Sequence, residues 1–163
     1  MIKILKVISK YLSDIDIENE YDKKNNKLYV PIMKNDKGNI IYEQITRYDD
    51  IIRISISIQL NYDVSENDKG RLSEYLHRAN FDMIRGNFEY DIDNNVVRFK
   101  HYFERCIIFR KNYTIYNVLV SATMFQRYFK GMLDIFSTDK SPKEINDEID
   151  MNIKKKKEKK GKK

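Results

Sequence analysis

Three short patterns contain residue types that can do chemistry, and the first resembles a calcium loop. Asp91, Asp93 and Asn95 alternate as ligand oxygens do at the start of an EF-hand. That loop needs a glycine at its sixth position and a glutamate at its twelfth, where this chain has Val96 and Tyr102. Because Asp and Asn also favour tight turns, we predict a hairpin turn here and no metal site.

The second pattern is His101 with Cys106 five residues later, since a thiol beside an imidazole can act as a nucleophile. His101 shares strand parity with Phe99 and Phe103, which predicts an inward-facing side chain. The apolar residues after Cys106 favour a small buried thiol. The chain also lacks glycine-rich phosphate loops and GxSxG patterns. We therefore expect no catalytic residues, no cofactor and no enzyme activity.

The third pattern interleaves basic and aromatic residues between positions 98 and 113, a composition used to bind single-stranded nucleic acids. On the strand predicted there, Arg98, Lys100 and Tyr102 point to one side, and the preceding strand carries Glu89 and Asp91. Opposite charges on adjacent strands favour cross-strand ion pairs on a solvent-exposed sheet face. We predict such ion pairs and no nucleic-acid site on this face.

The net charge of +6 is concentrated in the last ten residues. Residues 154–163 hold eight lysines and one glutamate, so this segment carries +7 and the other 153 residues carry −1. A block of like charge without apolar residues is typical of disorder. We predict one domain over residues 1–150 and a disordered Lys-rich tail over residues 151–163. Its candidate electrostatic contacts, to nucleic acid or an anionic surface, are Lys154, Lys155, Lys156, Lys157, Lys159 and Lys160.

Apolar runs are short throughout the chain. None approaches the roughly 20 residues that span a bilayer, and lysines interrupt the first twelve residues, unlike the core of a secretory signal. There is one cysteine, which fits a reducing compartment. We expect a cytoplasmic protein without a membrane span.

Hydrophobic spacing predicts the elements that position these side chains. Every even position from Ile52 to Leu60 is apolar and every odd one polar, as in an antiparallel strand with one buried face. Pro31 indicates that residues 27–34 form an edge strand. The element order is α-βββ-α-ββ-α, which predicts an α+β fold with a five-stranded antiparallel sheet packed by three helices. A capping box with Ser141, Pro142 and Glu144 would begin a further short helix.

The long helix predicted over residues 114–137 has two apolar stripes. Beside its core stripe it carries Tyr116, Val120, Met124 and Tyr128 at a spacing of four. Two stripes exceed what one core face needs, so the helix is either packed on two sides within the monomer or contacts a partner or second copy. These four residues are the candidate dimer or partner interface.

Residues 76–101 resemble the centre of the YbjN domain family. The matching features are Ala79-Asn80 at a helix end, the pattern Gly-x-Phe-Glu-x-Asp from Gly86 to Asp91, and a returning strand. The family is assigned to bacterial sensory transduction regulation, and its fold is similar to that of type III secretion chaperones. The resemblance implies a cytoplasmic, often dimeric protein that holds or regulates another protein, and it implies no catalytic residues.

These observations lead to one main functional hypothesis and two alternatives. The main hypothesis is a non-enzymatic regulator, adaptor or chaperone-like protein that binds a protein partner through its sheet or helix surface, for example by main-chain pairing at residues 27–34. The first alternative is binding of nucleic acid or an anionic surface through the Lys-rich tail. The second is a small-ligand sensor with a pocket between sheet and long helix.

Overall fold

The computed structural model describes residues 3–35, 37–60, 64–81 and 83–160, and its centre is one antiparallel sheet. The six strands are β1 (Glu20–Asp22), β2 (Lys27–Lys34), β3 (Ile40–Tyr48), β4 (Ile51–Gln59), β5 (Asn87–Asp91) and β6 (Val96–Glu104). Their order across the sheet is β1-β2-β3-β4-β6-β5. The predicted hairpins are confirmed, since β3 pairs with β2 and β5 pairs with β6.

The helices lie on one side of this sheet. They are α1 (Ile4–Ser13), α2 (Glu66–Phe81), α3 (Lys111–Ser137) and α4 (Pro142–Lys160), with a 3-10 turn at Arg105–Phe109. The apolar residues of α1, α2 and α3 pack on the same sheet face, while α4 packs on α2 and α3. The molecule therefore has two layers, and none of the described elements covers the second sheet face.

Strand parity explains which face is covered. Ile52, Ile54 and Ile56 of β4 are fully buried, as the alternation predicts. Their neighbours on β6 with the same orientation, Phe99 and Phe103, are buried as well. The odd-numbered residues of β4 point away from the helices, because successive side chains of a strand alternate between faces.

The α+β class is confirmed, but the predicted five strands packed by three helices are too few. The described residues form a sheet of six strands and four α-helices. The sixth strand is β1, whose three residues have no alternation that would mark them as a strand. Its pairing with β2 depends on a turn in which Asp22 Oδ1 accepts hydrogen bonds from the backbone N–H groups of Lys24 (2.9 Å) and Asn25 (3.0 Å). β1 reaches only as far as Tyr29, so Pro31 still lies on an unpaired edge.

The fourth helix begins at the predicted capping box and is longer than expected. The backbone N–H of Ser141 donates to Glu144 Oε2 (2.8 Å), and Glu144 N–H donates to Ser141 Oγ (3.3 Å). α4 then continues through Lys160, past the domain boundary expected at residue 150. The first ten residues of the segment expected to be disordered thus continue a helix, whereas residues 161–163 lie outside the described part of the chain.

One close contact fixes α3 against α2. The Tyr75 hydroxyl donates to the backbone carbonyl of Tyr128 (2.8 Å), and the Tyr75 ring is fully buried. A Cβ at Gly131 would lie 2.3 Å from Tyr75 Oη, so only glycine allows this approach. Arg71 of α2 holds the C-terminal end of α3, one to two turns further on, by donating to the carbonyls of Ile135 (2.7 Å) and Thr138 (2.8 Å).

Candidate functional site

The Asp91–Asn95 segment is a hairpin turn, as predicted. The backbone N–H of Asn94 donates to Asp91 Oδ1 (3.1 Å), and Asn95 adopts a φ of 51°. Hydrogen bonds from Asn94 lower the pKa of the Asp91 carboxyl. Among the described residues, no group of three or more His, Cys, Asp or Glu side chains could hold a metal ion.

His101 and Cys106 do not form a pair. His101 is buried between the helix layer and the sheet, as predicted, and its Nε2 lies 2.9 Å from Oδ1 of Asn117 on α3. Burial lowers the pKa of His101, the hydrogen bond with Asn117 opposes that shift, and the charge of Arg85 adds to it. Cys106 is exposed and its thiol donates to Glu104 Oε2 (3.4 Å), so the expected buried thiol is wrong.

Asn80, one of the residues behind the family resemblance, closes a sheet edge. Its side-chain amide donates to the Phe88 carbonyl (2.9 Å), and its Oδ1 accepts from the Phe88 backbone N–H (2.7 Å). The amide thus occupies both backbone groups of an edge residue, as a neighbouring strand would. An edge with its backbone groups satisfied cannot pair with another chain there.

Two further residues of the same motif are also structural. Gly86 has a φ of 74°, and a Cβ there would lie 2.3 Å from the Phe99 ring. Glu89 forms ion pairs with Arg98 (2.9 Å) and Lys100, which confirms the predicted cross-strand pairing. Burial raises the pKa of Glu89, but the hydrogen bonds from these two cations outweigh it and lower the pKa. The contacts of Asn80, Gly86 and Glu89 are therefore ones that maintain the fold.

The opposite edge of the sheet is also obstructed. Pro31 has no N–H to donate, and the pairing of β2 with β3 shifts between Pro31 and Met33. Gln126 of α3 donates its side-chain amide to the Ile32 carbonyl (2.8 Å). The backbone groups of β2 beyond β1 are thus partly used, which disfavours main-chain pairing of a partner at residues 27–34.

The uncovered sheet face carries several exposed aromatic side chains. Tyr42, Tyr48 and Tyr102 point to it and expose 43%, 50% and 46% of their area. Ile51 lies directly opposite Tyr48 and is similarly exposed. Aromatic rings with a polar end are enriched in protein interfaces, because they bury much area at low entropy cost.

Arg53 lies in the middle of this face. Its guanidinium carbon is 4.4 Å from the centroid of the Tyr48 ring, and Tyr102 is its partner in register on β6. Of the three basic side chains that β4 and β6 direct to this face, Arg98 and Lys100 pair with Glu89, whereas Arg53 forms no ion pair with a described residue. Its Nε is buried and makes no hydrogen bond with a described residue.

Sequence reasoning missed Glu43, a carboxyl in the core. It is fully buried on β3 between Val30 and Ile56, and neither carboxylate oxygen has a hydrogen-bond partner among the described residues. Burial raises the pKa of Glu43 well above its usual value of 4.5. The sequence signal that could have revealed its burial is the alternation of the strand. Glu43 lies two residues from both Ile41 and Ile45, which are buried, so it points to the same face.

The candidate interface on α3 divides along the helix. Tyr116 is exposed, Val120 and Met124 are half-buried, and Tyr128 is buried. Met124 packs on the core cluster, and the Tyr128 ring lies 5.8 Å from the Phe88 ring. The N-terminal half of the stripe therefore faces outward, where the Arg85 guanidinium lies 5.3 Å from the Tyr116 ring centroid. The C-terminal half contributes to the core.

Residues 154–160 of the lysine-rich segment lie on the last turns of α4. Lys154 and Lys155 are exposed, while the side chains of Lys156, Lys157, Lys159 and Lys160 lie outside the described part of the structure.

α4 also borders a groove of about 420 Å³ against α2. Two intrahelical ion pairs line this groove, Arg78 with Glu74 (2.7 Å) and Lys143 with Asp147 (2.6 Å). Over the described residues, the helices include none that is long and apolar enough to cross a membrane.

The comparisons with known proteins find a likeness among solved structures. No family model matches the chain, and no curated protein matches its sequence. A search of solved structures finds the crystal structure of "YbjN, a putative transcription regulator from E. coli", with 15% sequence identity and a TM-score of 0.43. The match covers 75% of this chain and 93% of that chain.

Proposed function

We propose that this chain binds another protein through its uncovered sheet face and acts as a regulator, adaptor or chaperone-like protein without chemistry of its own. One observation carries the proposal: the helices cover one face of the sheet, while the other face presents exposed tyrosines around Arg53. A surface with several exposed aromatic side chains is typical of an interaction site.

The sheet edges support the choice of the face. Asn80 occupies the backbone of Phe88 on β5, and Pro31 interrupts β2. Strand addition would need a row of free backbone donors and acceptors. Side-chain contacts on the open face are therefore the more favourable mode of binding.

The charges on this face favour a protein over a nucleic acid. Arg98 and Lys100 share the single carboxylate of Glu89, and Arg105 after the end of β6 pairs with Asp50 (2.7 Å). A nucleic acid gains most of its affinity from unpaired cations that contact successive phosphates. Among the described residues of β4 and β6, the open face has one such cation, Arg53, which suits a partner with isolated negative charges.

Affinity capture from nuclease-treated lysate of the source organism tests the proposal. The full chain is compared with Tyr48→Ser/Tyr102→Ser, and with Tyr113→Ser/Tyr116→Ser on the helix side as the matched control. We expect a protein retained in stoichiometric amount by the full chain and the control variant, and lost with the sheet-face variant. Equal retention by all three would refute binding through the sheet face.

The lysine-rich segment is tested in the same experiment. A full-length variant with Gln at Lys154, Lys155, Lys156, Lys157, Lys159 and Lys160 keeps the helix length and removes six charges. We expect this variant to retain the same partner. If capture depends on these lysines and disappears in high salt, the segment is the binding element and the alternative function holds.

A further inference from the structure

The side chain of Arg53 is preorganised for binding an anion. Stacking on Tyr48 restricts the guanidinium plane, so less rotamer entropy is lost when a ligand binds it. Nε is buried without a hydrogen-bond partner among the described residues, whereas the two terminal nitrogens are not buried and are the donors that a ligand can reach. A carboxylate can accept two parallel hydrogen bonds from such a fork.

The surroundings of Arg53 indicate which anion fits. Thr46 and Tyr102 flank it on the adjacent strands, and neither carries a charge. Further out, Glu89 and Asp50 are ion-paired with Arg98, Lys100 and Arg105, and the carboxylate of Glu104 forms no ion pair with a described residue. A ligand with one negative charge at Arg53 gains attraction, whereas the further phosphates of a nucleic acid would have to compete with these carboxylates for the surrounding cations. The site is complementary to a carboxylate in an otherwise uncharged segment.

We propose that Arg53 binds an Asp or Glu side chain of an extended segment of the partner protein, with Tyr48 and Tyr102 contacting its apolar neighbours. This inference rests on the proposed function, because it specifies the chemistry of the partner at the same surface. Ile51, exposed and opposite Tyr48, extends the apolar contact along the strand direction. The binding segment thus has an acidic residue flanked by aromatic or aliphatic residues.

Selection from a random library of twelve-residue peptides on the immobilised full chain tests the inference. We expect the selected peptides to share an Asp or Glu beside apolar residues. Their fluorescein-labelled forms should bind Arg53→Gln at least about tenfold more weakly than the unmodified chain, the size expected for a charge-assisted hydrogen bond. Arg98→Gln, on the same face but paired with Glu89, is the matched control and should bind the peptides unchanged.

A double-mutant cycle makes the pairing specific. Replacing the acidic residue of the peptide by its amide should weaken binding to the unmodified chain as much as Arg53→Gln does, and should cause no further loss with that variant. Thermal unfolding establishes that Arg53→Gln is folded. If Arg53→Gln is unfolded, Arg53→Lys replaces it in the cycle with the same peptide variant. Lysine keeps the positive charge but lacks the two parallel N–H donors of the guanidinium.

Several results would overturn the inference. These are selected peptides without acidic residues, equal affinity for Arg53→Gln, or no peptide above background. Tighter binding of a dT20 oligonucleotide than of any peptide, lost with Arg53→Gln, would assign the site to phosphates instead. Failure of the proposed function is distinguishable, since a captured partner that is lost with Tyr48→Ser/Tyr102→Ser keeps the sheet face as the interface even when Arg53 contributes nothing.

Discussion

At the residue scale, Glu43 is the side chain that conflicts most with its surroundings. Its carboxyl lies among aliphatic residues of the sheet, and burial favours the protonated form. Unfolding exposes the carboxyl to water, where it ionises above about pH 4.5. The unfolded state therefore binds fewer protons than the fold between pH 4.5 and the folded pKa, so the free energy of unfolding falls as pH rises through this range.

Replacing Glu43 should stabilise the protein at neutral pH. Leu has a similar volume and no polar atoms, so Glu43→Leu should raise the free energy of unfolding by about 1–3 kcal/mol at pH 7, the cost of an unpartnered buried polar group. The gain should shrink toward pH 4.5. Urea unfolding between pH 4.5 and pH 8 measures this, with Glu43→Gln as the non-titrating polar control. A Leu variant that is less stable at every pH would contradict the burial of Glu43.

Sequence reasoning at this scale succeeds where a side chain obeys the parity of its strand. His101 is predicted to face inward because it lies between Phe99 and Phe103 on one strand. The prediction of a buried Cys106, which rested on the apolar residues after it, is wrong, because the chain enters a 3-10 turn after β6 in which Ile108 is buried and the Cys106 thiol is exposed. The His101 contact with Asn117 joins two elements, and one sequence gives no means of pairing them.

At the element scale, small polar and glycine residues determine how helices and strands meet. Asn80 lies in the last turn of α2 and closes β5, while Gly131 lets α3 approach Tyr75. Asn80 and Gly86 belong to the sequence pattern on which the resemblance to the YbjN family rests. The physical role of this pattern depends on the register of β5 with β6, which brings Phe88 to the edge and Phe99 under Gly86.

Removing the Asn80 side chain should destabilise the protein and open the β5 edge. Asn80→Ala loses two hydrogen bonds to Phe88, which should cost about 1–3 kcal/mol of unfolding free energy. Urea unfolding and light scattering at increasing concentration measure stability and edge-to-edge association. Asn94→Ala in the β5–β6 turn serves as the control. An Asn80→Ala variant as stable as the unmodified chain would show that the edge is not held by this amide.

Replacing two helix glycines by alanine should change the free energy of unfolding in opposite directions. A Cβ at Gly131 collides with the buried Tyr75 hydroxyl, so Gly131→Ala should lower the free energy of unfolding, by about 1–3 kcal/mol as for overpacking. Gly70 on α2 has no atom within 4 Å of the added Cβ, so Gly70→Ala should raise it by about 0.5–1 kcal/mol. Thermal unfolding of both variants measures the two changes in stability. Equal shifts would contradict the packing of α3 on α2.

The elements that sequence reasoning missed lack periodicity. β1 is three exposed or half-buried residues whose pairing is set by the following turn. The extension of α4 beyond Asp150 has many lysines, which are good helix formers, whereas charge patterning alone suggests disorder. Strands β3, β4 and β6 and helix α3 are predictable because their apolar positions repeat at the periods of strand and helix.

At the scale of the whole molecule, the division into a covered and an uncovered sheet face decides what the protein can bind. The alternation of apolar and polar residues in β4 is enough to predict one buried and one exposed face. The sequence does not show that α1, α2 and α3 all take the same side. Nor does it place Arg53 beside Tyr48 and Tyr102, which come from three strands.

The exposed half of the α3 stripe remains the predicted interface for a second copy. Tyr116→Glu tests it better than a change at Met124, because Met124 packs on the core and its replacement would also affect folding. We expect a dimer in the unmodified chain, and a monomer with unchanged circular dichroism for Tyr116→Glu. Sedimentation velocity measures the mass, with Tyr48→Glu on the sheet face as control. A mass that Tyr116→Glu leaves unchanged would exclude this interface.

Hydroxyl-radical footprinting of the captured complex tests the central claim most directly. Tyr42, Tyr48 and Tyr102 on the sheet face and Tyr113 and Tyr116 on α3 expose similar fractions within one chain, between 41% and 50%, and each is compared with its own reactivity in the free protein, where a second copy on α3 would already protect the last two. Binding through the sheet face predicts that the first three become protected in the complex while the two on α3 keep the reactivity that they have in the free protein. Protection of Tyr113 and Tyr116 with the sheet tyrosines unchanged would contradict the account and place the partner on the helix layer.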